Sequence, residues 1–103
     1  LGEWEAARAA FAESLDIARR ILARVGETPE ALRDLSVSLD NVGNTDRALG
    51  EWEAARAAFR EGLEIAERLA TALQNHVDYR DLPDHFRRRL AGLEEARDAV
   101  AGD

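Results

Sequence analysis

The chain has no cysteine, no methionine and no lysine among its 103 residues, and only two prolines and two histidines. Without cysteine there are no disulfides, no thiol nucleophile and no thiolate metal site, and a reducing, cytoplasmic compartment is the expected setting. No run of about 18 apolar residues occurs, so no segment is expected to span a membrane, and no signal peptide is evident. Methionine is missing even at position 1, and the chain opens inside a repeated segment, so it is expected to be a piece of something longer.

Hydrophobic residues make up 46% and charged residues 34%, a balance that suits one small folded domain. With few prolines and abundant alanine, helix is favoured throughout. The net charge of −7 repels a phosphate backbone, which argues against nucleic acid and anionic membranes as partners.

The dominant signal is an internal repeat. Residues 1–11 and 49–59 both read LGEWEAARAAF, and 16 of the first 20 aligned positions are identical at a spacing of 48. A unit copied in tandem ordinarily buries its apolar face against its neighbours, as in stacked helical arrays. In the first copy Trp4, Ala7, Phe11, Leu15, Ala18, Leu22 and Val25 recur in steps of three and four. A second stripe, Ala6, Ala10, Ile17 and Ile21, runs beside them. Two adjacent stripes predict a helix that needs neighbours on two sides.

Gly26-Glu27-Thr28-Pro29 predicts a stop and a restart: a left-handed glycine, a threonine N-cap and a proline at the first helical position. The next helix is expected from about residue 29 to 49, weakest over 41–45 where Asn, Gly and Thr lower helix propensity. Gly50 makes a tight turn into the second copy. After a polar stretch over 74–80, Asp81-Leu82-Pro83 starts a last helix, about 82–100. There Phe86, Leu90, Leu93, Ala96 and Val100 form one face and Arg87, Arg88, Glu94, Glu95 and Asp98 the other. One apolar and one solvated face predict a terminal cap. The expectation is an all-α domain of antiparallel helix–turn–helix units. Residues 1–25 are the second helix of a truncated repeat, 29–73 one complete long repeat, and 82–100 a capping helix.

The unit from Leu39 to Leu63 resembles a tetratricopeptide repeat. Val42-Gly43 stands where that family has Leu-Gly, Gly50 at the turn, Trp52 at the aromatic after it, Ala55 at the small residue and Phe59 at the large aromatic. Gly62 takes the second small position, and Gly2, Trp4, Ala7, Phe11 and Ser14 fill the matching places in the first copy. The repeat is 48 residues rather than 34 and lacks a closing proline, as follows if the helices run on for extra turns. The stretch RDLSVSLDNVG (33–43) is similar to long-repeat arrays of large bacterial proteins, often joined to signalling, NTPase or protease domains. The resemblance implies a solenoid segment whose first helix lines a concave groove for a peptide or protein. Carried over by position, the groove residues are Val37, Asp40, Asn41, Asn44 and Arg47. Two Asn amides can grip a bound backbone as donor and acceptor. Asp40 counts against a carboxylate-gripping groove, and one complete repeat is not expected to build a groove alone.

Other constellations read as structural. His76, Asp78, Asp81, Asp84 and His85 crowd together, but their spacing fits no metal-ligand motif, and acids in a first helical turn suit its positive end. Arg87-Arg88-Arg89 reads as the solvated side of the cap, Arg89 shielding apolar surface with its stem. Trp4 and Trp52 read as core aromatics. No phosphate loop, nucleophile elbow or histidine-based triad is present, so no enzyme and no cofactor are expected. The sequence therefore points to a non-catalytic protein-interaction scaffold. The alternative is a sensory segment of a larger bacterial signalling protein that binds a small ligand or peptide. The helix that should cover Trp4, Ala7 and Phe11 is not in the sequence, so the isolated residues are expected to self-associate there as a homo-oligomer, by exchange of helices eased by the weak 41–45 segment.

Overall fold

The computed structural model describes residues 2–102. Four long helices and one single turn follow in order: α1 (Glu3–Val25), α2 (Pro29–Ala48), α3 (Trp52–Ala72), α4 (Val77–Arg80) and α5 (Leu82–Ala101). No strand occurs among the described residues, and none of the helices is long and apolar enough to cross a membrane. α1 packs on α2, α2 on α3 and α3 on α5, so the helices stack in chain order into an elongated body of 44 × 25 × 18 Å.

Local chemistry sets the boundaries. Gly26, at φ +83°, ends α1 with its N–H bonded to the Leu22 carbonyl, and two residues on the Ala31 N–H donates to Thr28 Oγ1 at 3.1 Å to start α2. Gly50, at φ +77°, turns the chain between α2 and α3, an angle that L side chains rarely take. The segment over 41–45 is continuous helix despite its low propensity. Thr45 turns its hydroxyl back to the carbonyls of Asn41 (3.0 Å) and Val42 (2.9 Å), and Gly43 is buried against α3. Tertiary packing overrides propensity there.

The polar stretch expected after residue 73 instead contains α4. Its Tyr79 is buried among Leu32, Leu35 and Leu69, a contact that sequence periodicity does not register because four residues span barely one turn.

Two buried clusters run through the stack. One joins Ala18 of α1, Leu32, Leu35 and Leu39 of α2, Ala58, Ile65 and Leu69 of α3, and Tyr79. The other joins Ala55, Phe59 and Ala66 of α3 to Phe86 and Leu93 of α5. Val100, expected on the buried face of α5, is 61% exposed, for Arg97 three residues earlier already pairs with Glu53 at the start of α3. Two glycines let these helices approach: a Cβ on Gly43 would stand 2.7 Å from Phe59 Cδ1, and one on Gly62 2.7 Å from Phe86 Cδ1. Each interface thus seats a phenylalanine ring on a glycine of the facing helix.

The duplication also reappears as ion pairs. Arg8 Nε of α1 lies 3.1 Å from Asp46 Oδ1 of α2, and Arg56 of α3 pairs with Glu94 of α5. Both partners of the second pair sit 48 residues after those of the first, the spacing of the sequence repeat.

Candidate functional site

The groove residues expected from the sequence lie on α2, and the structure sets α5 opposite them. Val37 is 51% exposed, while Asp40, Asn41, Asn44 and Arg47 are half-buried. Helical phase puts Val37, Asp40, Asn44 and Arg47 along one stripe. α5 answers with its own stripe. His85 Nε2 lies 3.0 Å from Asp40 Oδ2, Arg89 donates from Nε and Nη2 to the Asp40 carboxylate at 3.0 and 3.4 Å, and Arg47 lies against Gly92.

At the α4 end the groove opens into a cavity of about 290 Å³ lined by Ser36, Val37, Asp40, Asp78, Asp81, Leu82, His85 and Phe86. Val37, Leu82 and Phe86 make its apolar part and Asp78 and Asp81 its acidic rim. Asp40 is not free to grip a ligand, because His85 and Arg89 of α5 hold it and its side chain is only 18% exposed. The carboxylate ties α2 to α5, and Arg89, read from sequence as a shield over apolar surface, is the other half of that tie. Asn44 and Arg47 are left as the polar groups of the stripe, with Asn41 beside it.

The acidic and histidine residues around α4 disperse. His76 stacks on Tyr79 with ring centroids 4.5 Å apart and accepts from the Asp78 N–H. Asp84 binds Arg87 at 2.9 Å, and His85 turns to Asp40. Among the described residues, no three His, Cys, Asp or Glu side chains come close enough together to hold a metal ion.

The residues expected to self-associate lie on α1. Trp4 is 52% exposed, whereas Ala7 and Phe11 are half-buried on the stripe that Leu15, Ala18 and Leu22 continue against α2. The wider opening of α1 is the neighbouring stripe, with Ile17 48% and Ile21 46% exposed and Arg20 and Arg24 beside them.

Three groups titrate away from their ordinary values. Hydrogen bonds from Arg19, at 2.6 and 2.8 Å, hold the Glu61 carboxyl below the usual glutamate range and raise Arg19 in turn. Burial pushes Asp46 up, Arg8 opposes the rise and Glu51 adds to it. All three lie between stacked helices, away from the cavity.

No curated protein and no solved structure matches the chain. The tetratricopeptide repeat model does match, over residues 35–78. That span runs from the leucine face of α2 through the whole of α3 to α4, and so includes the Gly43–Phe59 contact and the turn at Gly50. The helix–turn–helix geometry and this match agree, and residues 35–78 are similar to a tetratricopeptide repeat.

Proposed function

We propose that the chain is a non-catalytic protein-interaction module whose partner is an extended peptide segment lying along the groove between α2 and α5. The observation that carries this reading is an apolar, acid-rimmed cavity at the end of the α2 stripe of Val37, Asp40, Asn44 and Arg47, with Asn41 beside that stripe. Asn amides suit a peptide backbone, and Val37, Leu82 and Phe86 suit an apolar side chain. Asp78 and Asp81, on a chain of net charge −7, favour a basic residue beside it.

The test is selection of binders from a random peptide display library by the full chain, followed by nuclear magnetic resonance shift mapping. Selected peptides are expected to pair an apolar with a basic residue and to perturb α2 and α5. Asn41→Ala and Val37→Glu should weaken them at least tenfold with the melting temperature unchanged. Peptides insensitive to both changes would refute the groove reading, and loss of fold on Asn41→Ala would make that residue structural.

A second reading, self-association through Trp4, Ala7 and Phe11, has the exposed indole of Trp4 behind it. Light scattering over a hundredfold dilution tests it: a dimer lost in Trp4→Asp or Phe11→Asp is the expected result, and a monomer throughout refutes it.

A further inference from the structure

The cavity at the α4 end of the groove lies where this chain interrupts a helix. α2 begins at Pro29 and α4 at Val77, 48 residues on, so α4 and the start of α5 stand where the sequence repeat places the counterpart of α2. α2 runs unbroken to Ala48, whereas its counterpart breaks at Asp81, just ahead of Pro83, which stands at the position of Leu35. Asp78, Asp81, Leu82, His85 and Phe86, from either side of that break, make one wall of the cavity.

The polar groups of the cavity are acceptors almost throughout. Ser36, 1% exposed on the α2 side, donates its hydroxyl proton to the Arg33 carbonyl at 2.7 Å, which leaves lone pairs to present. His85 turns its Nε2 to Asp40. Asp78 and Asp81 stand at the rim, 76% and 77% exposed, and are paired loosely with His76 and Arg80, each at 3.9 Å. An anion would meet three carboxylates here. Among the described residues no three histidine, aspartate or glutamate side chains gather closely enough for a metal ion, so the cation this wall suits is one whose charge is spread. The volume, about 290 Å³, lies at the bottom of the range of about 300–1,000 Å³ typical of small-molecule sites, room for one long side chain rather than a stretch of backbone.

We propose that the cavity is an arginine pocket: an arginine of the bound peptide lays its aliphatic stem on Leu82 and Phe86 and turns its guanidinium to Asp78 and Asp81. Guanidinium is all donor and no acceptor, and its planar fork can serve two carboxylates at once. The stem meets the apolar wall and the head meets the acidic rim, so one residue satisfies both. Val37 is left for the apolar residue beside it. The peptide as source of the arginine rests on the groove reading, and the choice of arginine goes beyond it.

The probes are N-acetyl-argininamide, its citrulline isostere and the lysine amide, each titrated into the full isotope-labelled chain and followed by nuclear magnetic resonance. Saturable shifts at Asp78, Asp81 and His85 are expected with the arginine compound, and binding at least tenfold weaker with the uncharged citrulline one. The lysine amide should bind severalfold more weakly, because a point charge cannot fork between two carboxylates. Asp78→Asn combined with Asp81→Asn should lower the affinity for arginine at least tenfold and leave the melting temperature unchanged, since both side chains are exposed. Peptides selected on the groove should carry arginine at one fixed position and lose at least tenfold in that double variant. Absence of shifts in α4 and α5 would overturn the proposal, as would equal binding of the arginine compound and either analogue. Peptides weakened by Asn41→Ala but sharing no arginine and indifferent to the aspartate changes would overturn it and leave the groove reading standing. Binding of the free amide with no peptide selected would overturn both, by giving the pocket to a small guanidinium compound.

Discussion

Single atoms decide much of this stack. Gly43 is an alanine's width from failure: its missing Cβ is replaced by the Phe59 ring, whose Cδ1 and Cζ would stand 2.7 and 2.8 Å from any added carbon. Gly43→Ala gains about 1 kcal/mol of helix propensity but forces a buried ring to move, at about 1–3 kcal/mol. Packing should win, lowering the melting temperature by several degrees, with Phe59→Leu in the same chain restoring part of the loss. Chemical denaturation of the two single variants and the double variant reads this directly, and additive losses would show that the two sites are not coupled. Glu61 and Asp46 predict opposite responses to acid. The folded chain holds Glu61 below its ordinary value, so its contribution is present above the unfolded glutamate value and is lost as pH falls through the lower folded one. Glu61→Gln should therefore cost about 0.5 kcal/mol at neutral pH, typical of an exposed pair, and nothing in strong acid. Asp46 is pushed up, so its contribution is full below the unfolded aspartate value and is lost as pH rises through the folded one. Asp46→Asn should be neutral or stabilising at pH 7, with the difference closing as pH falls. Melting curves across the acid range test both signs.

Among the elements, the long helices were legible and the short one was not. Their legibility has a physical cause: each long helix carries an apolar stripe of period 3.6 and a stop or start residue that works through its own backbone, such as Gly26, Thr28-Pro29, Gly50 and Leu82-Pro83. α4 has one apolar anchor, Tyr79, and no room for a period, so only its neighbours reveal it. The pairing of α5 with α2 was hidden for a similar reason. In sequence Asp40 read as a groove residue, His85 as part of a polar cluster and Arg89 as a shield over apolar surface, and they become a tie only when α2 and α5 are both packed on α3. Tyr79→Ala isolates the short element. Truncating a 9%-exposed aromatic should cost on the order of 3 kcal/mol, and the amides over 76–80 should lose hydrogen-exchange protection before those of α3 do. Equal loss of protection across the whole chain would mean that α4 is part of the global folding unit.

At the scale of the whole molecule, helices stacked in chain order contact mainly their neighbours, so stability is expected to behave as a sum of interfaces. α3 is buried between α2 and α5, while α1 meets α2 and reaches α3 through the exposed Arg19–Glu61 pair, at 2.6 Å. Of the side chains on α1 only Ala18 is buried, against seven residues on α3. The same duplicated sequence is therefore held on two sides in one copy and on one side in the other. Its two copies should open at different free energies. Native-state hydrogen exchange in low denaturant should show the α1 amides exchanging through a local opening while those of α3 follow global unfolding. Phe86→Ala, which removes a ring seated on Gly62 at the far interface, should lower the protection of α3 and leave the local opening of α1 nearly unchanged. If α1 and α3 instead exchanged at one common free energy, the four long helices would form a single cooperative unit, and the open face of α1 would be a surface of the native core rather than of its least stable edge.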